Sequence, residues 1–404
     1  MTYSRFEDDK KQWSSVNISP QSKDVFSRII TAQPSTIQAY DNIYGIENTF
    51  NSNTSGAGAI AYDANLSSYT LSVGTASGDI ATQESKYSHH YQPGKSQEVI
   101  MTGVLGPEKV GVVSRIGYFD DNDGMYFTMT ENGPAIVVRS STSGSVIETT
   151  VLQSQWNIDK GDGTGPSGIT IDFTKFQIYY INIQWLGGGT QRFAIYVENR
   201  LVTLHMYDTF NQFTAPYMRT ATLPVRYEIE NIANTASSSD MLMTCASVST
   251  VGGEEEQGIR YSYSTGLSPV TLSPNLAVFS IKQDTELNGN PYRGRTYVES
   301  IDVLNLGAAA DGIQVSLVFN ANISGANFQA YGPNNSCILV DSSATFNSGY
   351  ARHSFYISGA KGDSAKLDTD DLILRDSNDT FTVVASNVGG ATSAVFTINW
   401  REVY

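Results

Sequence analysis

The chain has only two cysteines in 404 residues, Cys245 and Cys337, and little charge, with Asp, Glu, Lys and Arg making up 16%. Two distant cysteines give neither a disulfide framework nor a metal-finger spacing. Each therefore reads as a small buried residue, and stability must come from core burial. Basic residues are the scarcer sign. There are 25 Lys and Arg against 40 Asp and Glu, a net charge of −15. That balance argues against nucleic-acid and anionic-membrane binding. No apolar run approaches a membrane span, so no membrane insertion is expected, and no segment keeps a long helical period. The opening Met1–Trp13 has no apolar core and predicts no cleaved leader.

What is present is strand chemistry: 23 Tyr, 17 Phe and 35 Gly, with 40% hydrophobic residues. Aromatic and β-branched runs favour strands, glycines serve turns, and this apolar content excludes wholesale disorder. Residues 1–29 are polar and poorly periodic and read as an N-terminal arm, with Asp24–Ile30 a candidate helical turn. Residues 30–251 alternate in short runs: 68–73, 97–106, 109–119, 125–131, 135–140, 145–152, 177–186, 192–197, 200–206, 225–231 and 241–251. Asp123-Gly124 and Asn132-Gly133 are hairpin pairs between such runs. Gly252–Gly258 reads as a solvated linker. Residues 261–404 hold about eight more short strands, the spacing of a second antiparallel sandwich.

The clearest pattern is a meander. Tyr179, Ile181, Ile183 and Trp185 share one strand face, then Phe193, Ile195 and Val197, then Val202, Leu204 and Met206. A sheet apolar on one face needs a second sheet against it, so a β-sandwich is expected. The opposite face would carry Tyr180, Gln184, Arg192, Tyr196, His205 and Tyr207. Tyr and Arg suit a protein interface, and the same residues suit a glycan; the interface is preferred.

Other motifs carry less chemistry. Asp120-Asp121-Asn122-Asp123-Gly124 places oxygens closely enough for a hard cation, making Asp120, Asp121 and Asp123 candidate Ca²⁺ ligands, but the loop lacks a closing Glu. A polar hairpin turn is the simpler reading. Glu228 and Glu230 share a strand face, a spacing that invites comparison with glycosidase acids. Without a third acid in register they read as solvated. His89 and His90 are adjacent and would point to opposite faces, a poor metal site. The loop from Trp156 to Gly168 reads as ordered and pinned by its Trp. No catalytic set is assembled, and no cofactor is expected beyond that candidate Ca²⁺.

Several segments together resemble a known family. They are Ser85–Ser96 (SKYSHHYQPGKS), Arg115–Phe119 followed by Asp123–Phe127, Trp156–Asp159, Gly165–Gly168, Gln184–Gly187 and Leu223–Glu228, and the ending Phe396–Tyr404. They are similar to structural proteins of tailed phages and large aquatic viruses, whose main domain is a concanavalin A-like (laminin G-like) jelly roll. The resemblance covers Arg28 to Val251 well and the C-terminal half more loosely. It implies a virion component of head, vertex, tail or fibre, made in the host cytoplasm, and brings no catalytic residues.

The expectation is therefore an all-β, non-enzymatic virion structural protein of two antiparallel sandwiches, the first a concanavalin A-like jelly roll. Its partners would be other virion proteins and copies of itself. The arm would dock on a neighbouring subunit through Phe6, Trp13, Phe26 and Ile29. The alternatives are a receptor-binding fibre or lectin reading host surface glycans, and a virion-bound glycan hydrolase.

Overall fold

The computed structural model describes residues 2–7, 12–17, 23–31, 33–45, 49–253, 258–308, 310–331, 336–359, 362–366, 372–375 and 377–404, with backbone only for 2–7, 12–17 and 362–366. The chain divides into two compact units, Met1–Glu255 and Glu256–Tyr404. Both are antiparallel β throughout, and the first is a jelly-roll sandwich. The described residues include no α-helix; Gln153–Gln155 is a 3-10 turn.

The first unit packs a seven-stranded sheet against an eight-stranded one. The seven-stranded order is Ile147–Leu152, Gly133–Ser140, Gly124–Thr130, Val112–Phe119, Val225–Asn231, Ile80–Ser85, Phe50–Ser55. The eight-stranded order is Arg200–Asp208, Thr190–Val197, Gln177–Ile183, Gln97–Val104, Ser239–Thr250, Ser68–Val73, Ala59–Asp63, with Ser35–Tyr40 also pairing to Ser239–Thr250. Late strands insert between early ones in both sheets, which is the jelly-roll crossover. The inner faces interdigitate through Leu71, Met101, Ile116, Tyr118, Phe127, Tyr179, Ile181, Phe193 and Tyr227, all buried. Burial of such side chains contributes roughly 1.5–3 kcal/mol each. Gly124 shows why glycine closes the hairpin between Val112–Phe119 and Gly124–Thr130: its φ is +140°, and an added Cβ would lie 2.2 Å from the Phe119 Cβ.

The second unit packs two six-stranded sheets. Ser393–Val403 lies between Ile259–Ser264 and Arg295–Asn305 in one; Thr380–Val388 lies between Leu276–Gln283 and Gly312–Phe319 in the other. Ala394, Phe396, Ile398 and Trp400 alternate into the core and meet Phe279, Ile301, Val315 and Phe381.

The arm differs from its expectation. Thr2–Glu7 and Gln12–Asn17 pair as a hairpin, with Phe6 and Trp13 register partners; their side chains lie outside the described residues. Residues 23–29 form no helical turn. A bridge between Lys23 and Ile29 closes a loop around Ser27, whose φ is +61°. The Asp24 carboxylate accepts from the Arg28 backbone N–H at 2.9 Å and from Arg28 Nε at 2.7 Å. This part of the arm lies on its own jelly roll rather than standing free for a neighbour. Arg28 donates to the Gly94 carbonyl, and Arg192 donates to the Lys23 carbonyl. Phe26 is half-buried and Ile29 exposed.

Candidate functional site

Tyr180, Arg192, Tyr196, His205 and Tyr207 do not form one open face, for two reasons. The first is a β-bulge. Arg192 pairs with Met206 and Phe193 with His205, but Ala194 pairs with Thr203, so Leu204 is the extra residue. Alternation therefore reverses along Arg200–Asp208. His205 and Tyr207 oppose inward-facing Phe193 and Gln191, while Met206, expected in the core, opposes Arg192 on the outer face. The second reason is cover. Tyr180, Arg192 and His205 are all buried, and Tyr196 is the one exposed member.

The outer face instead holds a buried polar chain. Ser96 Oγ donates to Asn182 Oδ1 at 2.6 Å, Asn182 Nδ2 donates to Tyr180 Oη at 2.8 Å, and Tyr180 Oη donates to Glu98 Oε1 at 2.7 Å. Burial pushes the Tyr180 hydroxyl up, with help from the Glu98 carboxylate. Burial also raises Glu98, against the lowering pull of its Tyr180 and Asn182 hydrogen bonds. His205 is lowered by burial, and its Nδ1 accepts from the Asn157 backbone N–H. The two faces differ from the alternation pattern: Trp185, on the apolar face, is only half-buried, whereas Tyr180, on the opposite face, is 3% exposed. Tyr180→Phe should cost about 1–3 kcal/mol, because it removes a partner from a buried carboxylate. Tyr180→Ala should destabilise at least as much as Trp185→Ala; thermal melts of the three variants check the order, and a Tyr180→Ala protein as stable as the parent would contradict it.

Only one of the two acids is solvated in part, Glu230. Glu228 is 3% exposed on the outer face of the seven-stranded sheet. Its Oε1 accepts from Arg115 Nη1 at 2.5 Å, and its Oε2 accepts from Arg226 Nη2 and from Thr82 Oγ1. Arg115 Nη1 also reaches Glu230 at 2.8 Å, and Arg226 Nη1 reaches Asp121 at 2.6 Å and Glu84 at 3.3 Å. Burial works against the charge of Arg115, but Glu228 and Glu230 outweigh it and hold its pKa high. Next to this network the Phe119 ring lies between the Arg139 and Arg226 guanidinium groups, each 5.3 Å from its centroid. Arg139 and Tyr126 both bond Glu148 and keep its carboxyl low despite burial.

The candidate calcium carboxylates diverge. Asp120 Oδ1 caps its own turn through the Asn122 and Asp123 N–H groups, and Asp121 pairs with Arg226. Asp123 is buried and accepts from Ser141 and from the Arg219 N–H. With each acid tied to different donors, the loop is a hydrogen-bonded hairpin turn. Among the described residues no three His, Cys, Asp or Glu side chains converge as a metal site. His89 is buried between Tyr40 Oη, 2.8 Å from Nε2, and the Leu223 carbonyl, 3.0 Å from Nδ1.

One cluster has no counterpart in the sequence reading. Glu402 is fully buried in the second unit and accepts five hydrogen bonds. Its signal was available: Phe396, Ile398, Trp400 and Glu402 share one strand parity, and an acid in a core register needs buried donors.

No protein-family model and no curated protein matches the sequence. Among solved structures the chain is similar to a legume lectin-like domain from Entamoeba histolytica, with 9% identity over 54% of this chain and 98% of that one at a TM-score of 0.31. A Bacillus licheniformis β-glucanase gives 12% identity over 54% of this chain and 99% of that one at 0.32. A structure described for ganglioside-dependent cell entry of botulinum neurotoxin type C gives 10% identity over 88% of this chain and 98% of that one at 0.32. None of these likenesses reaches the level of individual residues.

Proposed function

We propose that this chain is a non-enzymatic structural component of a virion, acting through protein–protein surfaces and assembling with copies of itself. The observation that carries the non-enzymatic part is the state of Glu228. A glycosidase acid needs an oxygen free to protonate a leaving group or attack a sugar, and both Glu228 oxygens accept from Arg115, Arg226 and Thr82. Large apolar side chains at the surface support an adhesive role: Phe210, Tyr350 and Tyr356 are each at least 66% exposed. The virion assignment rests on the sequence resemblance.

The test is particle incorporation. Antibody labelling should find the chain on purified particles. Deleting residues 1–22 should leave a protein that melts within a few degrees of the parent, because residues 23–29 remain docked, yet fails to enter particles. Particles without the chain would refute the proposal. A large loss of stability in the deletion would assign the arm to folding instead of assembly.

A further inference from the structure

The outer face of the eight-stranded sheet carries a cavity of about 480 Å³ that nothing above assigns. Its floor is the bulged strand pair: Arg192 beside Met206, with Thr203 and Leu201 further along. One wall is the turn at Lys23, Asp24 and Ser27; the other is the loop carrying Ile158 and Pro166. The loop wall is fixed in place. Asp159 Oδ1 accepts from the Gly161 N–H and Oδ2 from the Ser167 N–H, while the carbonyl of bulge residue Leu204 accepts from the N–H groups of Ile158 and Asp159.

Arg192 keeps open donors inside the cavity. Arg192 is 6% exposed, and its one hydrogen bond is from Nη1 to the Lys23 carbonyl at 3.1 Å. Its Nε and Nη2 have no protein acceptor among the described residues. The acids that line the cavity are committed elsewhere, Asp24 to Arg28 and Asp159 to backbone N–H groups. Glu98 attracts Arg192 electrostatically, but it takes its hydrogen bonds from Tyr180 and Asn182 and none from the guanidinium. Neither nitrogen is sealed away from solvent, so both stay open to a ligand, and the planar guanidinium fork fits a carboxylate. Ile158, Pro166, Leu201 and Met206 give the lining an aliphatic stretch, Lys23 and Arg200 add two further cations, and no aromatic ring is among the described lining residues for a sugar to stack on.

We propose that this cavity binds a small aliphatic carboxylate, its head group on Arg192 and its chain along Leu201, Met206 and Ile158. The site is independent of the virion assignment. Octanoate is the probe, titrated calorimetrically into the full chain, with octanol and acetate as controls for the chain and the head group. Octanoate should bind, and octanol and acetate at least tenfold more weakly. Arg192→Gln should weaken octanoate more than tenfold, the effect of losing a charge-assisted pair. Because Arg192→Gln disturbs a buried charge, Thr203→Trp provides a second arm: it fills the cavity from a half-buried position, and should abolish binding in a protein whose melting temperature is kept. Absence of octanoate binding to the full chain, or equal binding by octanol, overturns the proposal. So does unchanged binding in a folded Thr203→Trp protein. A Leu-ending peptide with a free carboxylate that binds tenfold tighter than octanoate, and fails when amidated, would reassign the cavity to a partner's C-terminus.

Discussion

Glu228→Ala is expected to destabilise the jelly roll by about 3–5 kcal/mol, the usual effect of removing one member of a buried ion pair. The reason is what remains. The Arg115 and Arg226 side chains are each 11% exposed and would lose the carboxylate that lies between them. Their other partners are poorer substitutes, since Asp121 is 82% exposed, Glu230 31% and Glu84 27%. Glu228→Gln keeps the shape and one acceptor oxygen, so it should cost less than the Ala variant while still losing the charge. The triple change Arg115→Met, Arg226→Met and Glu228→Leu should recover much of the loss, because it replaces the whole buried group, and replacing buried ionic groups by apolar ones of like volume is often neutral. Urea unfolding followed by circular dichroism gives all three values. A Glu228→Gln protein as stable as the parent would mean the acid is not tied to the arginines, and the argument against a catalytic role for Glu228 would fall with it.

Strand alternation was legible in several of the apolar runs. Ser68–Val73 and Val225–Asn231 have the same limits in the sequence reading as in the structure. Phe50–Ser55 and Ile80–Ser85 went unread because their pattern is polar on both faces. The first is a sheet edge facing solvent, and the second buries Ala81, Gln83 and Ser85 inward and Thr82 outward. The bulge at Leu204 illustrates a different limit. A period of two is a property of the strand, but an inserted residue is a property of the pair, and only the pairing with Thr190–Val197 shows where alternation reverses. Exposure failed for a related reason. Polar residues on a sheet's outer face read as solvated unless the covering segment is known, and here one cover is the turn at residues 23–29, distant in sequence from Arg192. The Arg115–Glu228–Arg226 network lies on neighbouring strands, where Arg115 is the register partner of Glu228. That pairing could be proposed from sequence only after the strand order was known.

Glu402→Gln should unfold the second unit at markedly lower denaturant, with a loss of about 3–5 kcal/mol. The carboxylate is an acceptor at both oxygens. Oε1 takes hydrogen bonds from Ser336 Oγ at 2.7 Å and Trp400 Nε1 at 2.8 Å. Oε2 takes them from the Cys337 N–H at 3.0 Å, Cys337 Sγ at 3.2 Å and Tyr404 Oη at 2.9 Å. No Lys or Arg pairs with Glu402 among the described residues, so these donors alone offset the desolvation of the group. An amide would turn an N–H₂ group toward donors on one side or the other and leave at least two without a partner, at about 1–3 kcal/mol each. Removing single donors is a milder change. Ser336→Ala, Cys337→Ala and Tyr404→Phe each leave the acceptor with its other partners, and should cost about 0.5–1.5 kcal/mol each. The asymmetry is the diagnostic: one acceptor change should outweigh any one donor change by at least twofold. The Cys337 thiol gives a second readout, because burial and then the Glu402 carboxylate hold its pKa up. In Glu402→Gln the neighbouring charge is gone, and the thiol should react faster with a disulfide reagent under conditions where the fold is intact. Equal losses for acceptor and donor variants, with unchanged thiol reactivity, would show that Glu402 does not anchor the C-terminal strand and that the apolar packing of Phe396, Ile398 and Trp400 holds it alone.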